Sequence, residues 1–277
     1  MEIIYDTLRL LYLCAFALNR VFSGEPTLDD LYQQRTLNFA HRGASAAAPA
    51  NTVAAFRLAA EMGADGIELD VQLSADGEIV VIHDFTVDGT TDGQGAVREM
   101  SLAQLKELDA GSHFDPAFAG ERIPTLQEVF DAVGHRLLVN VECKRFPGRN
   151  RGLEAEVVRL IEDNNLLHSV FISSFNPLSL RKVKQLNSNI LTALLYMPNL
   201  PIFLRRAWLT PIAPHEFRHP HYSMVDERFM ARMRQKGYRV NTWTVNEPEE
   251  MRRLLALDVD GIITARPDLL AEIMLES

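Results

Sequence analysis

The sequence is poor in cysteine and in basic residues. Cys14 and Cys143 are its only cysteines and lie far apart, so it has no disulfide framework. This fits a reducing compartment, and we expect a cytoplasmic protein. The chain has 28 Lys and Arg against 37 Asp and Glu, a net charge of -9 that argues against nucleic acid as a partner. A phosphate ligand stays compatible, because a few local cations can invert the field around one site.

Long apolar runs are also scarce. The apolar stretch near the N-terminus, Leu8 to Leu18, is too short for a comfortable membrane span, and acidic rather than basic residues precede it. Its apolar residues recur at helical spacing, which predicts a helix within an N-terminal segment, residues 1 to 35. Two interpretations stay open. The helix packs on the body of the protein, which we favour, or it lies on a membrane surface and gives a peripheral membrane contact.

The overall composition is ordinary for a globular protein, with 47% hydrophobic and 23% charged residues. Its 277 residues can bury a large core and suit one large α/β domain or two small ones. From residue 36 onward, strand patterns alternate with helix patterns. This alternation is typical of a mostly parallel sheet, with a closed (β/α)8 TIM-type barrel as its leading form. We therefore expect a barrel over residues 36–277, with the N-terminal helix as an addition.

The strand count is one too many for such a barrel. The surplus strand, Ile79 to His83, follows the second strand after the turn signal Asp76-Gly77, without room for the crossover helix that parallel pairing needs. We predict a hairpin that returns His83 to the neighbourhood of Asp70, followed by a small insertion over residues 85–123 with a short helix at Leu102 to Leu108. Strands are predicted at Leu37–Ala40, Ile67–Val71, Leu137–Cys143, Val170–Ser173, Leu191–Tyr196, Tyr238–Val245 and Gly261–Thr264, and a weaker one at Tyr222–Val225.

Helix ends are marked by capping residues. Side chains that accept hydrogen bonds from free backbone N–H groups favour the first turn, and glycine favours the position after the last turn. Helix starts are predicted at Asn51, at the Thr125 and Glu128 capping box, at Asn176 before a proline, near Asp226 and at Asn246; Gly237 is predicted to end a helix.

The second strand carries a pair of carboxylates that requires a partner. Glu68 and Asp70 are two residues apart in a run that is otherwise apolar, so both side chains point to the same face. Two like charges held this close are costly unless a cation lies between them or one carboxyl keeps its proton. Glu142, on the third barrel strand, supplies a third acidic oxygen donor. Three carboxylates without a nearby cysteine ligand suit Mg²⁺ or Ca²⁺ better than Zn²⁺.

Cations and histidines occur at the ends of the same strands. Alternation places Lys144 inward with Glu142 and places Cys143 outward, and Arg42 follows the first strand. Arg42 and Lys144 are salt-bridge partners of the acids or, together with a metal, an anion clamp of the kind phosphoryl chemistry needs. His41 and His83 lie on different elements and can face each other across the site as a general base and a general acid.

An ordered set of motifs resembles the glycerophosphodiester phosphodiesterase family from about Phe39 to Pro267. The motifs are His41-Arg42-Gly43, Asn51-Thr52, Gly63 to Val71, Asp76-Gly77, His83-Asp84, Thr90-Thr91, Glu142-x-Lys144, Ile172-Ser173-Ser174-Phe175, Trp243-Thr244-Val245-Asn246 and Gly261-Ile262-Ile263-Thr264. The resemblance implies one divalent cation held by Glu68, Asp70 and Glu142, an acid–base pair of His41 and His83, and phosphate contacts from Arg42 and Lys144. It implies hydrolysis of a glycerophosphodiester to glycerol 3-phosphate and an alcohol.

The resemblance leaves the substrate's alcohol open. Trp243 is either a wall of the glycerol pocket or an ordinary core residue. The chain also departs from the family pattern at three positions: Ala50 replaces an acid, Gly89 replaces an arginine, and Ala265 replaces Asp or Asn. A lysophospholipid is an alternative substrate, for which residues 1–35 would serve membrane approach. A non-catalytic phosphodiester-binding barrel is the alternative from a different class.

Overall fold

The strands close into a barrel. The computed structural model describes Tyr32 and residues 35–144, 152–205 and 210–276. Within them the strands are β1 Leu37–His41, β2 Gly66–Leu73, β3 Ile79–Val81, β4 Leu138–Cys143, β5 Val170–Ser174, β6 Thr192–Tyr196, β7 Phe217–Pro220, β8 Arg239–Thr242 and β9 Gly261–Thr264. All except β3 run parallel, and β1 pairs with both β2 and β9, which closes the ring. The predicted (β/α)8 barrel is confirmed.

Helices surround the barrel and cover the outer faces of its strands. Their apolar faces pack on the strands, as at the buried Phe56, Val129 and Leu254. None of the described helices is long and apolar enough to cross a membrane. The described helices are α1 Val53–Glu61, α2 Leu102–Glu107, α3 Leu126–Val133, α4 Leu153–Asp163, α5 Pro177–Leu186, α6 Ile202–Arg205, α7 Glu227–Gln235, α8 Pro248–Ala256 and α9 Pro267–Glu276.

The surplus strand forms the predicted hairpin. Strand β3 pairs antiparallel with β2, with Val71 opposite Val81. Beyond β3, the Ile82 N–H donates to the carbonyl of Asp70 at 2.9 Å. This pairing continues the hairpin to the edge of the site and brings the next residue, His83, beside the acidic strand.

The insertion that follows the hairpin has a small core of its own. Its buried residues include Val87, Val97, Leu105 and Ile123, which pack with the hairpin residues Val80 and Ile82. The predicted short helix is present as α2, with Ser101 and Gln104 as its capping box. The insertion therefore packs as a unit against the hairpin.

The prediction for the sixth barrel strand was wrong. Tyr222–Met224 form a 3₁₀ helix, and β7 is Phe217–Pro220 instead. The segment Phe-Arg-His-Pro does not resemble a buried strand, because two of its four residues are basic or titratable. Arg218 is nevertheless buried and lies 4.2 Å from the ring centroid of Tyr238, while His219 points into the barrel.

Two capping predictions were also wrong. Thr52, not Asn51, caps α1 and accepts from the Ala55 N–H at 3.2 Å. Asn246 lies one residue before the α8 cap position, and its side chain accepts from the Ala265 N–H at 2.9 Å. The other caps are confirmed: Thr125 with Glu128, Asn176, Asp226, and Gly237 at φ +68° after α7.

An aromatic core fills the barrel near the amino-terminal ends of its strands. Phe39, Phe171 and Phe217 are buried there, and Tyr32 packs on Phe217 with 5.4 Å between ring centroids. The Tyr32 hydroxyl donates to Asn241 Oδ1 at 2.9 Å. The helix predicted within residues 1–35 lies outside the described residues, of which Tyr32 and Arg35 are the first.

Candidate active site

Three carboxylates meet at the carboxyl ends of neighbouring strands. Glu68 and Asp70 extend inward from β2, and Glu142 extends inward from β4, where it lies opposite Asp70 in the parallel register. All three residues are buried, and one oxygen from each lies within 4.8 Å of the other two. Cys143 points the other way, into the core between barrel and helices. The alternation of β4 thus produces the arrangement expected from sequence.

Burial and mutual repulsion perturb these acids strongly. Burial raises the pKa of Glu68 well above its usual range, and the charges of Asp70 and Glu142 raise it further. Burial and the charge of Asp70 raise the pKa of Glu142 to about 7. Burial opposes ionisation of Asp70 as well, but Lys144 and Arg42 lower its pKa. The cluster therefore needs more positive charge before all three acids can ionise at neutral pH.

Lys144 and Arg42 are the cations closest to the cluster within the part of the chain that the structure describes. Lys144 Nζ lies 3.2 Å from Asp70 Oδ1 and 3.0 Å from Glu142 Oε1. Arg42 Nε lies 3.3 Å from Asp70 Oδ2. Asp70 thus lies between both cations, and each cation also borders the open end of the barrel.

The turn after β1 explains why glycine follows Arg42. Arg42 has φ +56° and Gly43 has φ +81°, two successive residues in the left-handed region. A Cβ on Gly43 would lie 2.6 Å from the backbone carbon of Ala55 in α1, closer than real atoms approach. The tight packing of this turn on α1 fixes the backbone at His41 and Arg42.

The two histidines border the carboxylates from different elements. His41 Nε2 lies 3.9 Å from Glu68 Oε2, and burial followed by the charge of Arg42 lowers the pKa of His41 to about 3. The charge of His83 is a further contributor to this lowering. His83 Nδ1 forms a 2.7 Å contact with Asp84 Oδ1, which orients the ring and leaves Nε2 available.

Asn51 is a site residue that sequence reasoning assigned to the wrong role. Its amide Nδ2 donates to Asp70 Oδ2 at 3.0 Å, and its Oδ1 faces the Asp70 backbone N–H at 3.4 Å. Its backbone has φ +60°, a conformation that asparagine tolerates better than most residues. A signal was present, since Asn51-Thr52 offers two capping residues where α1 needs only one.

Aromatic side chains border the opposite side of the site. Trp243 is partly exposed and makes edge-to-face contacts at 5.5 Å between ring centroids with Phe175 and with His221. Its indole N–H donates to the carbonyl of His219 at 2.8 Å, and its ring also packs on the aromatic core. Trp243 thus has the core-packing role, and its role as a wall of a glycerol pocket stays a prediction. Its contact with His221 was not expected from sequence, because the segment before the 3₁₀ helix was not recognised as the end of β7.

The departures from the family pattern lie at the rim. Ala50 lines a small cavity with Arg42, Asn51 and His83. A Cβ on Gly89 would lie 3.3 Å from Asp84 Oδ2. The Ala265 backbone N–H donates a hydrogen bond to Asn246 Oδ1. None of the three replaces a carboxylate of the cluster, a histidine or a cation of the site.

The barrel carries an acidic cluster, two histidines and two cations at the carboxyl ends of its strands. This arrangement is typical of barrel hydrolases that act on phosphate esters with a metal ion. Residues 41–269 match the model of the glycerophosphoryl diester phosphodiesterase family. The chain belongs to this family.

Sequence and structure comparisons agree with this membership. The chain is 43% identical to a glycerophosphodiester phosphodiesterase of Caldanaerobacter subterraneus over 87% of this chain and 98% of the relative. It is 36% identical to one of Bacillus subtilis, over 86% of each chain. A solved phosphodiesterase from Oleispira antarctica, in complex with the product sn-glycerol-3-phosphate, is 29% identical with a TM-score of 0.77, over 89% of this chain and 99% of that one.

Proposed function

We propose that the protein hydrolyses glycerophosphodiesters to glycerol 3-phosphate and an alcohol, with one divalent cation, Mg²⁺ or Ca²⁺, bound by Glu68, Asp70 and Glu142. The observation that carries this proposal is the buried acidic cluster, with Arg42 and Lys144 against Asp70 and with His41 Nε2 3.9 Å from Glu68 Oε2. Membership of the family supports it, as does the product bound by the Oleispira antarctica phosphodiesterase.

The acidic cluster fits such a cation. Its ligand atoms are carboxylate oxygens, which hard divalent ions prefer. They converge within 4.8 Å and are buried, and burial first, then the excess negative charge of the neighbouring acids, raises the pKa of Glu68 and of Glu142. A bound cation would neutralise that excess and, as a Lewis acid, stabilise charge on a phosphoryl oxygen.

The cationic side chains bind and orient the phosphate. Lys144 and Arg42 now lie against Asp70, and both can reach a phosphate at the open end through their remaining N–H donors. Guanidinium and ammonium groups fixed in this way stabilise the charge that develops on the equatorial oxygens during in-line displacement. The side-chain amide of Asn51 donates to Asp70 Oδ2 and so holds this carboxylate in position beside the two cations.

The histidines carry the protons in the proposed reaction. One ring takes the proton of the attacking hydroxyl group, and the other donates a proton to the oxygen of the departing alcohol. The nucleophile is water, or it is the hydroxyl group of the substrate's own glycerol; in the second case a cyclic phosphate forms as the alcohol leaves, and water then opens it to glycerol 3-phosphate. The Asp84 carboxylate fixes the His83 ring, and the short turn at Gly43 fixes His41.

A hydrolysis assay tests the proposal directly. The metal-free protein is supplied with Mg²⁺ or Ca²⁺, and release of glycerol 3-phosphate from glycerophosphocholine is measured with and without EDTA. We expect metal-dependent release, and a loss of at least about 10²-fold in kcat for His41→Ala and for His83→Ala. His113→Ala is the matched control, because this histidine is exposed on the insertion. Binding of glycerophosphocholine without any metal-dependent release would favour a non-catalytic barrel.

A lysophospholipid in the same assay tests the alternative substrate. Release of a lysophosphatidic acid at a rate similar to that of glycerol 3-phosphate would show that the site accepts an acylated glycerol. Hydrolysis of the soluble diester alone would restrict the activity to deacylated substrates.

A further inference from the structure

Three buried polar side chains lie inside the barrel near the acidic cluster. Asn140 on β4, Ser173 on β5 and His219 on β7 are almost completely inaccessible. Within the described part of the chain, both amide atoms of Asn140, the Ser173 hydroxyl and Nδ1 of His219 have no hydrogen-bond partner. Buried polar groups without partners are rare in native proteins and call for a physical explanation.

Strand register places two of these residues beside the metal-binding acids. Asn140 is opposite Glu68 between β2 and β4, and Ser173 is opposite Glu142 between β4 and β5. Residues opposite one another in parallel strands point to the same face, about 4.8 Å apart. Since Glu68 and Glu142 point into the barrel, Asn140 and Ser173 do so as well.

His219 borders the same region from across the barrel. Its ring lies edge-on to Phe171 at 5.9 Å between centroids, and Phe171 is opposite Asn140 in the register of β4 and β5. Nε2 of His219 faces the amide nitrogen of Asn241 at 3.1 Å. A neutral His219 that accepts at Nε2 carries its proton at Nδ1, so the atom without a partner is a donor.

Donors therefore lie next to acceptors that have spare capacity. Glu68 Oε2 accepts a hydrogen bond from the backbone N–H of Arg42, and Glu142 Oε1 accepts one from Lys144 Nζ. A carboxylate has about four acceptor positions, so both retain free ones even with a cation bound. The aromatic core below, with Phe39 and Phe171, offers no acceptor of comparable strength. Water is the species that can bridge these separated polar groups in a closed interior.

We propose that Asn140, Ser173 and His219 hold ordered water inside the barrel, and that Asn140 and Ser173 position the Glu68 and Glu142 carboxylates for the cation through this water. The inference rests on the proposed cation site and assigns it an outer layer of hydrogen bonds. Such outer partners orient the ligands of protein metal sites and influence their affinity.

Matched serine variants test the proposal. Ser173 and Ser179 are both buried with a hydroxyl that lacks a partner among the described residues, but Ser179 lies on α5 outside the barrel. Metal-free wild type, Ser173→Ala and Ser179→Ala are titrated with Mn²⁺ and with Ca²⁺ by calorimetry. We expect about tenfold weaker cation binding for Ser173→Ala, and for Asn140→Leu, but wild-type binding for Ser179→Ala. If the two serine variants melt at the same temperature without metal, the weaker cation binding of Ser173→Ala comes from the position of the carboxylates and not from a loss of stability.

The outcomes distinguish this inference from the proposed function. If the wild type binds neither cation, the proposed function and this inference both fail. If the wild type binds and Ser173→Ala and Asn140→Leu bind as tightly, only the outer layer is wrong. A high-resolution crystal structure of the cation-loaded protein provides the direct check. Ordered water on Asn140 and Ser173 supports the proposal, whereas a dry interior overturns it.

Discussion

At the scale of single residues, the site depends on opposite charges that compete for the same oxygens. Lys144 lies within 3.2 Å of two of the three acids that would hold the cation. Burial works against its charge, but Asp70 and Glu142 more than compensate and raise the pKa of Lys144. The ammonium group is therefore charged at neutral pH. It stabilises the acids while the site holds no cation, and it repels a cation that enters.

This competition predicts opposite effects of Lys144→Gln on binding and on catalysis. The variant removes a repelling charge, so Mn²⁺ or Ca²⁺ should bind at least as tightly as to wild type in a calorimetric titration. It also removes a phosphate-binding cation, so kcat should fall by about 10²- to 10³-fold. Arg98→Gln, on the exposed surface of the insertion, serves as control. Loss of cation affinity in Lys144→Gln would contradict the competition.

The acidic cluster could be predicted from the sequence, but the neutral polar residues around it could not. Glu68 and Asp70 were recognisable because two charges in an apolar strand have few explanations. Asn51, Asn140 and Ser173 carry no charge, and neutral polar residues have many structural roles in any chain. The turn between β1 and α1 brings Asn51 against Asp70, and the pairing of β2, β4 and β5 places Asn140 and Ser173 beside the acids. Register between distant strands is not encoded in the local pattern of one sequence.

At the scale of secondary structure elements, short-range rules succeeded where the chain turns locally. The hairpin of β2 and β3 could be predicted because the Asp76-Gly77 turn and the lack of a crossover helix are local features. Strand β7 could not, since Arg218 and His219 are stabilised by distant partners such as Tyr238 and Asn241. Tertiary contacts outweigh local propensity at that strand.

The loop of the insertion depends on one exposed carboxylate. Asp109 accepts hydrogen bonds from the backbone N–H groups of Gly111, Ser112 and Gly120, and from the Ser112 hydroxyl, at 2.8–2.9 Å. These bonds stabilise the ionised form and lower the pKa of Asp109 well below its usual range. A depressed folded-state pKa gives stability that is complete above the unfolded-state pKa, about 3.9, and is lost as the pH falls below it.

Hydrogen exchange should reveal this dependence. In the wild type, amide exchange across residues 109–121, corrected for its intrinsic pH dependence, should accelerate as the pH falls from 6 towards 3. Asp109→Asn should exchange faster already at pH 6 and change less with pH. Asp115→Asn is the matched control, because the Asp115 carboxylate accepts from a single backbone N–H, that of Ala117, among the residues the structure describes. Similar exchange in both variants would mean that Asp109 does not organise the loop.

At the scale of the whole molecule, the two ends of the barrel have different roles. The acidic site occupies the carboxyl ends of the strands, and Tyr32 enters from the amino-terminal ends. Its ring packs on Phe217 and lies near Arg239, the first residues of β7 and β8. Its hydroxyl bonds Asn241, which also contacts His219. Tyr32, from the N-terminal segment, thus completes the aromatic core. Hydrogen bonds connect its hydroxyl through Asn241 to His219, towards the interior of the site.

Two truncations separate this structural role from any lipid role of the N-terminal segment. Removing residues 1–31 retains Tyr32 and Arg35, whereas removing residues 1–35 deletes both, together with the bidentate pair of Arg35 with Asp65. Loss of a buried aromatic side chain costs about 3–5 kcal/mol. At about 2–4 °C per kcal/mol for a domain of this size, the longer truncation should melt roughly 10 °C lower. The shorter one retains Tyr32 and Arg35, so it should melt at a higher temperature than the longer one and should keep its activity on glycerophosphocholine.

Tyr32→Ala in the full chain should reproduce the loss of stability of the longer truncation, because it removes the same ring and hydroxyl from the core. If removal of residues 1–31 alone lowers the melting temperature as much, the contribution lies in the earlier residues and not in Tyr32. Activity then addresses the membrane interpretation. A shorter truncation that retains hydrolysis of soluble glycerophosphocholine but loses hydrolysis of micellar lysophospholipid would assign residues 1–31 to approach to a lipid surface, whereas equal retention on both substrates would exclude that role.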